Sequence, residues 1–216
     1  MIFDFWCLMR CLVELHYRPS IQYFAALHKA ETIIIEKCEH FVKQSYRSRA
    51  HILTAQGVDR LILPLTSKHG KVLITDVRID YSQKWLNNHW RSIESAYRNA
   101  PFFEYYADDL RKILFKQHEL LFDLNFELLT MCLRWLKWSV TIQESMAYEK
   151  SPAKDVTDLR NVINPKKNDN QVHRFQPVPY QQVFGNKFAE GLSLIDLVFC
   201  EGPNSRMVVA SSAKSH

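Results

Sequence analysis

Apolar positions along the chain alternate between short runs suited to strands and longer stripes suited to helices. Leu12-Val13-Glu14-Leu15 reads as a short strand, halted at Tyr17-Arg18-Pro19-Ser20 because proline fixes its own φ and restricts the residue before it. Ser20 then suits a helix N-cap, and Ile21, Phe24, Ala25 and Leu27 fall at helical spacing. Thr32-Ile33-Ile34-Ile35-Glu36 is short and β-branched, hence a second strand. Strand, helix and strand make a βαβ unit with two parallel strands. Ile52-Leu53-Thr54, Leu61 to Leu65 and Val72 to Val77 follow, separated by turns at Gln56-Gly57 and Lys68-His69-Gly70, and read as antiparallel additions. From about Ser82 to Trp138 the period becomes helical. Trp85, His89, Trp90, Ile93 and Tyr97 share one face, Pro101 ends that helix, and Ala107 to Phe115 and Glu119 to Lys137 supply two more.

Residues 151–174 turn polar and read as a loop or embedded linker, and Leu192 to Phe199 resumes a helical pattern after Ser193. The expectation is an α/β fold: a mixed sheet that starts with a βαβ unit, antiparallel additions, and a helical middle region packed on the sheet. It would form a single domain over residues 12–207, with an extension at 1–11 and a frayed tail from 208.

Composition narrows the function classes. A chain of 216 residues with 47% hydrophobic and 24% charged content is ordinary for a globular protein. A net charge of +5 permits an anionic partner but lacks the dense basic stripe of a nucleic-acid binder. With five glycines there is neither a GxGxxG nor a GxxxxGK[ST] phosphate cradle. The five cysteines (Cys7, Cys11, Cys38, Cys132, Cys200) are odd in number and spread out, as expected of thiols in a reducing compartment. The apolar opening carries Asp4 where a signal peptide needs basic residues, and no run is long enough to span a bilayer. A cytoplasmic protein is expected, with no membrane span, no nucleic-acid partner, no cofactor and no metal.

Candidate chemistry centres on Lys43, Arg47 and Arg49, which lie close together with no acid anywhere between Glu39 and Asp59. Guanidinium groups fork onto phosphate or carboxylate oxygens, and lysine adds a point charge beside them. Ligands of open α/β sheets bind beyond the carboxyl ends of the strands, so Tyr17, Gln22, Glu36, Glu39, Lys43, Arg47 and Arg49 can crowd one rim. The competing reading pairs Arg47 and Arg49 with Glu36, Glu39 or Asp76 in a structural network. His89 and Glu36 are the candidate catalytic residues, His89 because its ordinary pKa suits proton transfer. Its alternative is a buried histidine bonded to a backbone carbonyl. Lys166, Tyr180, Gln182 and Asp196 complete the substrate-binding set, with a capping or pairing role as the alternative for Asp196.

Several short motifs carry a family likeness. They are Tyr17-Arg18-Pro19-Ser20-Ile21-Gln22-Tyr23-Phe24, the stretch from Glu36 to Arg49, Trp85 with His89-Trp90, and Pro101-Phe102-Phe103-Glu104-Tyr105-Tyr106. Asn164-Pro165-Lys166, Pro179 to Phe184, Leu192 to Leu197 and Gly202-Pro203 continue the series. In this order they resemble the WbqC-like family, from about Glu14 to Met207. The chain departs from the family at two places: Ser48 stands where asparagine is usual between the two arginines, and Arg18 where an apolar residue is commoner. The resemblance implies a bacterial protein of surface-polysaccharide (O-antigen type) gene clusters. It also implies a transferase placing a glycyl or other acyl group on a nucleotide-linked amino sugar. The alternative is a non-catalytic protein that binds a nucleotide sugar or another anionic metabolite.

Overall fold

The computed structural model describes residues 9–66, 70–165, 175–185 and 187–213. Its first elements are β1 (Arg10–Val13), α1 (Ile21–Leu27) and β2 (Thr32–Ile35). Strands β1 and β2 pair in parallel, from Arg10 opposite Thr32 to Val13 opposite Ile35. Helix α1 is buried along its whole length, so it carries no polar stripe and depends on its ends for definition. Ser20 caps it, its hydroxyl accepting from the Tyr23 amide at 3.3 Å.

A hairpin follows, β3 (Arg49–Thr54) against β4 (Gly57–Ile62), with Arg49 opposite Ile62. This antiparallel pair is a sheet of its own and does not extend the first. β4 ends at Ile62, two residues before Pro64, which has no N–H to give a ladder. The third expected addition, Val72 to Val77, is instead a single bridge from His40 to Leu73 followed by a 3-10 turn at Ile74–Asp76. Its apolar side chains are still used: Ile74 and Val77 are buried, and Leu121 donates its amide to the Val77 carbonyl.

Three helices, α2 (Trp85–Tyr97), α3 (Phe103–Phe115) and α4 (Leu121–Trp135), make the middle region. The chain then returns to the first sheet twice. β5 (Thr141–Glu144) adds in parallel to β2, and β6 (Val156–Asp158) adds in parallel to β1, giving the order β5-β2-β1-β6. β6 lies inside the polar stretch expected to be loop, where three residues hold too little pattern to announce a strand. Helices α5 (Leu194–Glu201) and α6 (Ser205–Ser211) end the chain, so residues 205–211, expected to fray from 208, are helical, and Ala213 bridges Phe175. The bend between them requires glycine: Gly202 has φ +52, and a Cβ there would meet the Phe102 ring at 2.5 Å. Parallel strands and helix faces share one continuous apolar core. The fold is α/β, as expected. Among the described residues, no helix is long and apolar enough to cross a membrane.

Candidate anion-binding site

The carboxyl ends of the four parallel strands converge on a buried polar network. Glu14 follows β1, Glu36 follows β2, Ser145 follows β5, and Arg160 with Asn161 follows β6. Glu36 accepts from the Ser145 hydroxyl at 2.6 Å, from the Cys38 amide at 2.9 Å and from Arg160 at 2.8 Å. Arg160 also forks onto Asp158 and lies over the Tyr148 ring at 4.7 Å. Arg47 forks onto Glu39 at 2.6 and 2.5 Å, donates to Asn161 at 3.0 Å and stands 3.7 Å from Glu14. Glu14 in turn accepts from His16 at 3.1 Å and from the Asn161 amide at 3.0 Å.

Electrostatics fit a closed network. Burial pushes the Glu14 carboxyl up, but the His16 hydrogen bond and the charges of His16 and Arg47 outweigh it and hold the group down at about 2. Burial raises Glu39, while the Glu39 hydrogen bonds and the Glu14 charge hold Arg47 above its ordinary value against its own burial. The pair is ionised, because a two-pronged fork requires an accepting carboxylate and arginine keeps its proton.

This rim gathers Glu36, Glu39 and Arg47 of the expected set but leaves the other cations elsewhere. Arg47 and Arg49 face different ways. Arg47, 1% exposed, is spent on Glu39 and Glu14, which is the structural-network alternative. Arg49, in the first position of β3, faces a cleft of about 310 Å³ together with Lys43 and Ser48. Phe41, Leu63, Leu65, Val72 and Val77 form its apolar wall. No carboxylate is among the described residues that line it, and its third cation, Arg78, is paired with Glu119. Lys43 is exposed, Arg49 is half-buried, and the Arg49 Nε has no acceptor. Burial and then the charge of Arg60 push Arg49 below its ordinary value. The cleft exists because residues 39–41 pair with 72–74: Ile74 donates to Glu39 at 3.0 Å and Phe41 to Val72 at 2.8 Å.

Tyr17 and His89 form a third group. Tyr17 and the His89 Nδ1 are joined at 2.9 Å, and Trp85 meets the His89 ring at 5.2 Å between centroids. Burial and the charge of Arg18 push His89 down to about 3, against a contact with the Ile62 backbone. His89 is therefore a neutral, enclosed imidazole, close to the alternative of a histidine held by the backbone. Gln22 is buried, and its side-chain nitrogen has no acceptor.

Tyr180, Gln182 and Asp196 bind one another. The Asp196 carboxylate accepts from Tyr97 at 2.8 Å, from Tyr180, and from Gln182 at 3.4 Å. Gln182 also grips Ala189 with both ends of its amide, at 2.9 and 2.8 Å, as a strand partner would. Burial raises Asp196, and burial followed by the Asp196 charge raises Tyr180. Lys166 and Cys7 lie outside the described residues.

Arg18 was not among the residues expected to bind. Its guanidinium is 2% exposed and lies 4.4 Å from the centre of the Tyr17 ring. None of its three nitrogens has an acceptor at hydrogen-bonding geometry. The signal the sequence offered was a charged side chain beside Tyr17 in the Tyr17-Arg18-Pro19-Ser20 break.

The four-stranded parallel sheet with helices packed against it defines an α/β protein. The model of the WbqC-like protein family matches residues 16–168, and the chain belongs to that family. A relative in Mycobacterium tuberculosis (strain ATCC 25618 / H37Rv), described as uncharacterized protein Rv1507c, is 32% identical over 147 residues. That alignment covers 66% of this chain and 62% of the relative. No solved structure matches.

Proposed function

We propose that the chain captures an anionic small molecule of the nucleotide-sugar class in the cleft beside the β3–β4 hairpin. The reading is carried by one observation: Lys43 and Arg49 face about 310 Å³ of space lined by no described carboxylate. Ligand sites run from about 300 to 1,000 Å³ and are mostly apolar with a few placed polar groups. The cations would take phosphate oxygens, Ser48 would offer one hydroxyl, and the apolar wall would face a sugar ring or acyl chain.

Acyl transfer to an amino sugar held in this cleft is the catalytic extension of the same reading, and family membership supports asking for it. It would need only positioning, charge stabilisation at the donor carbonyl and a base. The two expected bases are poorly placed for it: His89 is enclosed with its pKa held to about 3, and Glu36 accepts from three protein donors. Capture without turnover is thus the reading the geometry favours.

Calorimetry and thermal shift with nucleotide sugars, wild type against Arg49→Ala, test it. Binding that weakens about tenfold or more in the variant, the loss expected for charge-assisted hydrogen bonds, is the expected result. Equal binding by both proteins would sink it. Mass spectrometry of an amino-sugar nucleotide incubated with acyl donors separates capture from transfer, since only transfer adds the acyl mass.

A further inference from the structure

A buried arginine without an acceptor is expensive, because the ion has lost water and gained nothing of equal strength. Arg18 is in that position. It lies in the Tyr17–Ser20 turn between β1 and α1, at φ +49, a left-handed conformation that non-glycine residues rarely adopt. The backbone on both sides is fixed: Tyr17 donates its amide to the Tyr46 carbonyl at 2.8 Å, and the Pro19 carbonyl accepts from Leu194 at 2.9 Å. Strain and burial are therefore both imposed on one guanidinium.

Nothing beside it balances the charge. Burial lowers Arg18, and the charge and side-chain contact of Tyr17 only partly oppose it; burial pushes the Tyr17 phenol up to about 12, so Tyr17 is a neutral neighbour near pH 7. His89, joined to the Tyr17 hydroxyl, is also neutral there. The ring face of Tyr17 gives a cation–π contact at 4.4 Å, which leaves the N–H groups unsatisfied. Trp85, stacked edge-on against His89, adds one more buried donor without an acceptor at its indole nitrogen. Around this point the protein supplies donors and a positive charge, and no described carboxylate pairs with the arginine.

The geometry points to Arg18 as a second oxyanion contact, its three nitrogens without an acceptor receiving a phosphate or carboxylate group of the ligand. It extends the reading of an anionic ligand and rests on it, but it uses a different cation from the cleft. The two lie on either side of one strand end: the Ile62 backbone touches His89, and Leu63 lines the cleft. A ligand with two acidic groups, such as a nucleoside diphosphate, could engage both.

The test compares the full chain with Arg18→Leu, Arg18→Lys and Arg49→Ala, using thermal shift with inorganic phosphate, pyrophosphate and succinate as probes. Leucine carries the same Cβ at φ +49, so the backbone strain is unchanged, and removing an unbalanced buried charge should leave the ligand-free variant at least as heat-stable as wild type. The expected result is that Arg18→Leu weakens binding about tenfold or more, with Arg18→Lys intermediate because it keeps the charge and loses the fork. Phosphate or pyrophosphate dependence against succinate dependence tells which oxyanion is held. Loss in Arg18→Leu with retention in Arg49→Ala would support Arg18 and overturn the cleft. Loss in Arg49→Ala with full binding by Arg18→Leu would overturn Arg18 and leave the cleft standing. Wild type unmoved by every probe would overturn both. A lower ligand-free melting temperature in Arg18→Leu, with unchanged probe effects, would make the arginine structural and also overturn the inference.

Discussion

Replacing Arg47 by methionine removes the cation that two buried carboxylates share. Glu39 would lose both prongs of its fork, at 2.6 and 2.5 Å, and Glu14 would lose a charge 3.7 Å away. The Arg47 and Glu39 side chains are 1% and 5% exposed, so water cannot replace what is lost. Breaking a buried pair from one side costs about 3–5 kcal/mol, because it strands an unbalanced charge. For a domain of this size that is a fall in Tm of roughly 6–20 °C, at about 2–4 °C per kcal/mol. Removing both partners should cost far less, since a buried pair replaced by apolar groups of similar volume is often neutral. Arg47→Met/Glu39→Met should therefore recover at least half of the single-variant loss. Urea titrations of the wild type, both single variants and the double variant close a double-mutant cycle. A single-variant loss below about 1 kcal/mol, or additive losses, would refute the claim that the rim is held by this pair.

Two further outcomes follow from other buried groups. His89 has a folded pKa of about 3, below its ordinary 6.5, so the unfolded chain takes up the proton first. Its contribution is complete above about pH 6.5 and is lost as pH falls toward 3. Between pH 7 and 5 this amounts to about 2 kcal/mol, and His89→Gln should lose that much less stability than wild type over the same interval by urea denaturation; equal slopes would count against a neutral, buried His89. Tyr180→Phe removes one donor from the buried Asp196 carboxylate and should cost about 1–3 kcal/mol by the same assay. It should also leave phosphate stabilisation as in wild type; a loss of ligand effect without loss of stability would return Tyr180 to the ligand.

Much of the fold was legible because its strong signals are local. The Pro19-Ser20 break before the apolar stripe of α1, and the β-branched run of β2, state their structures within a few residues. β5 and β6 were not legible, since four and three residues have too few positions to show a period. They form because edge positions beside β2 and β1 were available, which is tertiary information. The same limit governed the site. A run of three cations without an acid marked one segment, but only the local turn decides that Arg47 goes inward to Glu39 and Arg49 outward to the cleft. That turn is visible in the Ser48 amide bonding to the Ser45 carbonyl at 3.4 Å and in the Asn125 side chain holding the Arg47 carbonyl at 2.8 Å.

The charge balance of the two regions explains why a ligand would avoid the place where α/β sheets usually hold one. The carboxyl rim places Glu14, Glu36, Glu39 and Asp158 against Arg47 and Arg160, with acids in excess and nearly every oxygen already accepting. A phosphate approaching it would meet repulsion from that excess of carboxylates. Arg18 in the Tyr17–Ser20 turn, Arg49 at the start of β3 and Trp85 at the start of α2 are among the residues that keep buried nitrogens without an acceptor. Oxyanions are drawn to donors and positive charge that the protein has not already paired. The rim thus acts as a cross-brace that ties β1, β2, β5 and β6 together. If the cleft binds the proposed ligand, mutations at the rim should reach binding chiefly through the stability and placement of β3.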